Sequence, residues 1–560
     1  MKHLTRRVLC TVAAAVVMSA GLSPVLVSGP ANAAGSTALI EGSGSSWAEN
    51  AVNQWVADVA SEGIQVVYTP DGDAQGRQDY ANRTSDFAVT ADGYQGVDPV
   101  TGVSDTSQGR PYAYLPIAAG GTSFPYQIRY DGQQVENLRL SGETLAKIFT
   151  NQITNWDDPE ITADNNGHAL PSLPITPVVQ SEGSGATQQL TSYFNAEYPS
   201  IWQPFAGQSG PTEYFPRQGD QIAQNGSNAA MNYVSSSQAN GSISYVEYSF
   251  ALSVNYPVVK LLNAAGYYTL PTQYNVAVAL EDAQINMDSS SPDYLLQNLT
   301  NVYTDTDPRT YPLSSYVYMI EPTGVYPSPE TKITTAKRQS IADFEYYSIC
   351  QGQKEIGPIG YSPLPVNLVE AGFGQIQELQ QADPGVDLTQ QNIDTCDNPT
   401  FVEGQPNTNY LATIAPLPPA CDMTGAGPCA AGVTPNGIGA TPESSGSYPG
   451  ASSSGSAAGK AAAGTQSTGT VNATTAGAGA AASPGSVAAA GSAPTAVSTS
   501  GPSSGGVLSP TLVSTSLPAY VASAMMSTLA PLTVVLLLLA LMLPAIIGYR
   551  RARIRREGEA

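Results

Sequence analysis

SEGSGATQQLTSYF, residues Ser181 to Phe194, runs a glycine-serine turn straight into a helical pattern. Such a turn presents backbone N–H groups at the positive end of a helix dipole, and glycine lets another group approach the backbone closely. Serine and threonine add hydroxyls that rotate to donate. A second stretch of the same kind, GSGSSWAEN from Gly42 to Asn50, opens the first helical pattern of the chain. Two such turns suit a small oxyanion. No Lys or Arg lies between Lys147 and Arg217, so the second turn brings no cation of its own.

Around these turns, short β-like runs alternate with helical ones. GIQVVYTP and PITPVVQ read as strands bounded by turn residues. In SSWAENAVNQWVADVASEG, Trp47, Val52, Trp55, Val56 and Val59 fall near one helical face, with Ser46 placed to cap it. ETLAKIFTNQITNWDDPEI starts as a helix and breaks at Asn-Trp-Asp-Asp, and LVEAGFGQIQEL places Val369, Phe373 and Ile376 at helical spacing. This alternation predicts an α/β fold with a largely parallel sheet.

The two ends read differently. Residues 1–33 carry Lys2, Arg6 and Arg7, then an apolar stretch, then Ala31 and Ala33, the pattern of a secretory signal peptide. Leu529–Tyr549 is uncharged and apolar, and Arg550, Arg551, Arg553, Arg555 and Arg556 follow it. That pattern predicts one transmembrane helix over 525–549, with residues 550–560 as a cytoplasmic tail. Residues 431–515 are rich in Ala, Gly, Ser and Thr, and no charged residue lies between Lys460 and Arg550. They read as a disordered stalk. The bulk of the chain is then an extracytoplasmic domain, 34–430, tethered to the cell membrane by a single pass.

The formal net charge of −23 argues against nucleic-acid binding, because an acidic surface repels a phosphate backbone at long range. A small anion in a pocket is not excluded, since local dipoles outweigh a screened distant field. Cys350, Cys396, Cys421 and Cys429 remain after the leader, an even number that suggests two disulfides with three pairings open. His168 is the one histidine outside the leader, and no CxxC spacing occurs. Neither a metal site nor a cofactor motif is present, and a histidine-based hydrolase is disfavoured, so the chain reads as a binding protein and not an enzyme.

The order of segments resembles the substrate-binding protein of the phosphate ABC transporter, the PstS family. The resemblance runs through GSGSSW, DFAVTADGY, ETLAKIFTNQITNWDDPEI, EGSGATQQLTSYF, GSISYVEYSFA, YPLSSYVYMIEP, IADFEYYSICQGQ and GYSPLPVNLVEAGFGQI, about residues 38–380. It implies a two-lobed type II periplasmic-binding-protein fold, with crossings near 116–122 and 252–258 and a second lobe of about 123–250. Residues 381–430 fall beyond it as a cysteine-containing extension. It also implies phosphate as ligand and an ABC transporter permease as partner.

Carried over by position, the resemblance assigns ligand contacts to the Ser46 hydroxyl, the Trp47 amide, Ser184 and Gly185. Elsewhere the chain departs from the family. Asp73 stands where a serine donor is expected. Ala91 stands at the place of the proton-accepting carboxylate, with Asp92 one residue later. Gln180 replaces the arginine of the second turn, and Ala186 replaces a threonine, with Thr187 next. Glutamine offers neutral donors where arginine grips bidentately, and an ionised Asp73 repels an anion. The expectation is a cleft built for phosphate that binds it weakly. The alternative is a surface protein for binding, sensing or adhesion on the same scaffold with a remodelled pocket, to which the 30 tyrosines lend some support.

Overall fold

The computed structural model describes residues 37–429, apart from 98–101, 103, 403, 406 and 407. The leader 1–33, the stalk 431–515, the span 525–549 and the tail 550–560 lie outside the described residues. Among the described residues no helix is long and apolar enough to cross a membrane.

The first lobe is built on a six-stranded sheet of order β9-β4-β12-β3-β1-β2. Its strands are β1 (Ile40–Gly44), β2 (Val66–Thr69), β3 (Phe87–Thr90), β4 (Ala113–Ser123), β9 (Val246–Glu247) and β12 (Ser314–Glu321). β1 pairs in parallel with β2 and β3, but β12 runs antiparallel to both β3 and β4, and β9 antiparallel to the end of β4. The sheet is mixed where the sequence suggested a largely parallel one. The reason lies in β4, which carries the chain out of the lobe, and in β12, which lies beside it from Ser314 opposite Gly121 to Glu321 opposite Ala113.

The second lobe has two small sheets. One is wholly parallel, with β6 (Thr176–Gln180) between β7 (Ile222–Gln224) and β8 (Ser242–Ser244). The other joins β5 (Arg139–Leu140) to β10 (Lys260–Leu262), which pairs with β11 (Tyr268–Thr269). The sequence reading closed this lobe near residue 250. Pairing of β10 with β5 instead brings residues up to about Thr269 back to it, a non-local contact that no local pattern announces.

Helices follow from their apolar faces. In α1 (Glu49–Ala60), Val52, Trp55 and Val59 are buried as the spacing predicts, Ala51 joins them and Val56 is only partly covered; burial of a side chain such as Val59 contributes about 1.5–3 kcal/mol. Ser46 does not cap this helix, because Ala48 is its N-cap and its hydroxyl is engaged elsewhere. In α3 (Gly142–Phe149), Ser141 accepts from the Thr144 amide at the N-cap; at the Asn-Trp-Asp-Asp break, Asp158 accepts from the Glu160 amide and starts the next helix. α8 (Val366–Ala382) buries Val369 and Ile376, with Phe373 partly covered. Many tyrosines, among them Tyr80, Tyr114, Tyr126, Tyr245, Tyr311 and Tyr318, lie in the core. They account for packing and lend no support to a tyrosine-rich recognition surface.

The cysteines pair as Cys350–Cys396 and Cys421–Cys429. The first bond ties the extension to the end of α7 (Thr335–Ile349), and the chain then runs on to α9 (Tyr410–Ile414). There Leu411, Ala412 and Ala415 pack on Ala277 and Val278 of α6 (Gln273–Ala279). Finally it reaches the second lobe, where Lys260 pairs with Asp422 at 2.7 Å and Arg139 donates to the Ala426 carbonyl at 2.7 Å.

Candidate functional site

Three helices start at one place between the lobes. α2 (Asp73–Ala81) comes from the first lobe, and α4 (Gly185–Glu197) and α5 (Gly226–Ser235) come from the second. Gly72, at a φ of 109°, turns the chain into α2 and sets Asp73 at its first position. The Asp73 carboxylate is fully buried and accepts from two backbone N–H groups, Ala91 at 2.7 Å and Gly185 at 2.8 Å. Ala91 follows β3 in the first lobe, whereas Gly185 opens α4 in the second. The Ala74 amide adds a third link, to the Gly183 carbonyl at 3.2 Å.

This packing requires glycine at 185. A Cβ there would lie 2.5 Å from both the Ala91 Cβ and Asp73 Oδ1. Each N–H bond to a charged carboxylate contributes about 1.5–3 kcal/mol; the Gly185 bond joins the lobes, while the Ala91 bond holds Asp73 in place within the first lobe.

Hydroxyls complete the polar network. The Ser46 Oγ accepts from the Ser227 amide at 3.1 Å and lies 3.3 Å from the Ser227 Oγ. Gln180 Nε2 donates to that same hydroxyl at 3.3 Å and to the Tyr245 carbonyl at 3.3 Å, while its Oε1 accepts from the Ser184 hydroxyl. Ser184 also caps α4 by accepting from the Thr187 amide, and the Thr187 hydroxyl meets the Tyr245 hydroxyl at 2.8 Å. Ser46 and Ser184 therefore share one network, bridged by Ser227 and Gln180. Trp47 borders it through its carbonyl, which accepts from the Tyr361 hydroxyl at 2.7 Å, and its indole N–H, which donates to Thr122 at 3.2 Å.

A buried cation stands beside the cleft on α2, with its bonds directed to carboxylates and not to the second turn. Arg77 is fully buried one helical turn after Asp73, and donates to Asp105 at 2.8 Å, to Thr90 at 2.9 Å and to Glu213 of the second lobe at 2.7 Å. Asp92 lies 3.5 Å from it and accepts from Gln95 at 2.7 Å, so Asp92 faces Arg77 and not the Gly185 amide. Burial raises the pKa of Asp92 well above the usual range and raises that of Glu213, and Arg77 opposes both shifts. Burial also raises Asp73, against the Gly185 and Ala91 N–H groups and then Arg77. For Arg77 burial works downward but is outweighed by Asp92, Glu213 and Asp105, so its pKa is raised.

Of the residues the resemblance assigned, the structure brings Ser46, Asp73, Gln180, Ser184, Gly185 and Thr187 together, with Trp47 and Asp92 at the border; Arg77, Glu213 and Ser227 lie among them and were not singled out from the sequence. Arg77 was legible in principle, being four residues after Asp73 on one helix face. Ser227 sits in Asn225-Gly226-Ser227, a turn into a helix of the same kind as the other two. Nothing local pointed to Glu213. Among the described residues, no group of His, Cys, Asp and Glu is arranged to hold a metal ion.

Comparison with known proteins places this architecture. A family model described as a PBP superfamily domain matches residues 31–350. The chain is 30% identical over 332 residues to the phosphate-binding protein PstS of Xylella fastidiosa, covering 59% of this chain and 83% of that protein. It is 30% identical over 332 residues to the phosphate-binding protein PstS 2 of Mycobacterium tuberculosis, covering 58% and 83%. Among solved structures it is similar to a phosphate-binding protein from Stenotrophomonas maltophilia, at 14% identity and a TM-score of 0.45, covering 62% of this chain and 99% of that one. The two-lobed α/β chain belongs to the PBP superfamily and, within it, to the PstS family of phosphate ABC transporter substrate-binding proteins.

Proposed function

We propose that the protein is an extracytoplasmic solute-binding protein that takes phosphate or a related oxyanion between its lobes and serves an ABC transporter permease. It works by binding and not by catalysis. One observation carries the reading: N–H groups from the two lobes, Ala91 and Gly185, converge on a single carboxylate. Donors so arranged stabilise a tetrahedral oxyanion as they do a carboxylate, and lobe closure would complete its shell. Relatives named as phosphate-binding proteins support the same solute.

In this reading Ser46, Trp47, Ser184, Gly185 and Thr187 line the solute site, with Asp73, Ala91 and Gln180 as its modified positions and Asp92 beside Ala91. Residues 34–430 form the binding domain and 381–430 its extension, 1–33 direct export, 431–515 form the stalk, and 525–549 anchor the chain in the cell membrane. A second reading, a surface protein with another ligand, is favoured by the engagement of both Asp73 and Gln180 with protein groups.

Titration calorimetry with phosphate decides between them. Wild type should bind weakly. Gln180→Arg with Asp73→Ser supplies a bidentate cation and frees two N–H groups, which should tighten binding at least about tenfold, equivalent to about 1.4 kcal/mol. A double variant that binds no phosphate would remove the phosphate reading and leave the second one.

A further inference from the structure

We propose that Asp73 is an internal ligand of this cleft: its carboxylate takes the place of the solute oxyanion between the lobes, holds them closed without solute, and must be displaced before solute binds. The proposal rests on the reading of the cleft as the solute site and adds how that site is regulated.

Four observations carry it. Each Asp73 oxygen has its own backbone donor, one from each lobe, at distances of 2.7 and 2.8 Å. The donor in the second lobe is the first amide of a helix of thirteen residues, the position at which an oxyanion gains most from the dipole. The approach is so close that no side chain fits at Gly185. Finally, Arg77 on the same helix reaches across to Glu213 at 2.7 Å, so α2 grips the second lobe at two points a helical turn apart.

The chemistry explains how one residue changes the behaviour of the scaffold. A serine at position 73 has one neutral oxygen on a shorter side chain in place of two charged ones, and with it the Ala91 and Gly185 amides could not both be satisfied and would wait for an acceptor. Solute would then be needed to bring the lobes together. An aspartate is an acceptor, and it supplies from within what the solute would supply from outside. Closure becomes intramolecular, with an effective concentration that a free anion at micromolar levels does not match. The site should therefore discriminate by displacement: an anion enters only when its bonds to the two amides and the surrounding hydroxyls outweigh those of Asp73. Gln180 fits the same scheme, because its amide bridges Ser184 and Ser227 and leaves neither hydroxyl waiting for a solute.

The test is a pair of interlobe distances. Spin labels at Glu62→Cys in the first lobe and Asp157→Cys in the second, both exposed positions, report opening by pulsed electron resonance in a Cys10→Ser background. Wild type, shown free of phosphate by chemical assay, should give one short distance that saturating phosphate does not change. Asp73→Ser should give a longer distance without phosphate and return to the short one with it. Opening of Asp73→Ser that phosphate does not reverse still supports the internal ligand, and counts against phosphate as the solute. If Asp73→Ser does not fold, Asp73→Asn is read instead; its NH2 cannot accept, so at least part of the population should be open. A phosphate-free wild type that is open and closes on phosphate would overturn the proposal. So would either variant remaining at the wild-type distance without phosphate, or a closed wild type found to carry stoichiometric phosphate.

Discussion

At the cleft, the lobes meet through Asp73 on the Gly185 amide and Arg77 on Glu213; through the extension, they meet by way of residues 396–429. The extension starts at Cys350–Cys396, where Asn398 and Thr400 donate to the Leu364 carbonyl at 3.1 and 2.7 Å. It ends at Cys421–Cys429, where Asn137 donates to the Cys429 carbonyl at 3.1 Å. Both joints bury charge, yet they differ in what can replace them. Each carboxylate contact in the cleft has a counterpart in water or in a free anion. The extension is held by one covalent bond, Cys350–Cys396, by apolar packing of α9 on α6 and by a Lys260–Asp422 pair whose side chains are 2% and 3% exposed, while Cys421–Cys429 closes a loop within it. The first is a joint that a ligand can enter, and the second is part of the folded core.

The comparison predicts unequal costs. Asp422→Ala leaves the Lys260 ammonium buried without its partner and should destabilise by about 3–5 kcal/mol in denaturant unfolding. Removing Cys350–Cys396, with a separation of 46 residues, should cost about 4 kcal/mol, against about 2.5 kcal/mol for Cys421–Cys429, with a separation of 8. Asp73→Ser should cost much less, about 1 kcal/mol, because the lost bonds are offset by relief from burying a carboxylate. An Asp73→Ser loss as large as that of Asp422→Ala would erase the distinction between the two joints.

Proton linkage sharpens it further. Asp73, Asp92 and Glu213 all have raised pKa values, with burial the first cause. The stability tied to a raised carboxylate is fully present below its ordinary value and is lost as pH rises through the raised one. Outside the cleft, burial raises Glu321 and Glu247 well above the usual range and pushes Glu345 to about 8, all in the same direction, so the share of the cleft is read as the difference between wild type and Asp92→Asn. Wild-type stability should fall as pH rises out of the ordinary carboxylate range and through the raised one, and Asp92→Asn should make that fall smaller, because it removes one of the groups that the folded state holds protonated. Thermal midpoints across that range measure it, and an unchanged slope would take Asp92 out of the linkage.

What the sequence made legible follows the range of the interactions involved. The glycine-serine turns at 42–50 and 181–187 announce helix starts because turn, cap and helix are neighbours in the chain. α1 and α8 show their buried faces by spacing alone. Asp73 was visible as a departure, but its meaning depends on Ala91 and Gly185, which reach it from 18 and 112 positions away. Arg77 was passed over because its partners sit at 105 and 213, and a lone arginine on a polar helix reads as solvated. The return of β10 to β5 and the cysteine pairing were hidden for the same reason.

The central claim is that the Asp73 carboxylate occupies the seat of the solute oxyanion. A crystal structure of Asp73→Ser grown with phosphate tests it most directly. The account predicts phosphate bound between the lobes, two of its oxygens accepting from the Ala91 and Gly185 amides where Asp73 Oδ1 and Oδ2 accept in the wild type. Phosphate bound at any other place, with those two amides turned to protein groups or water, would contradict it.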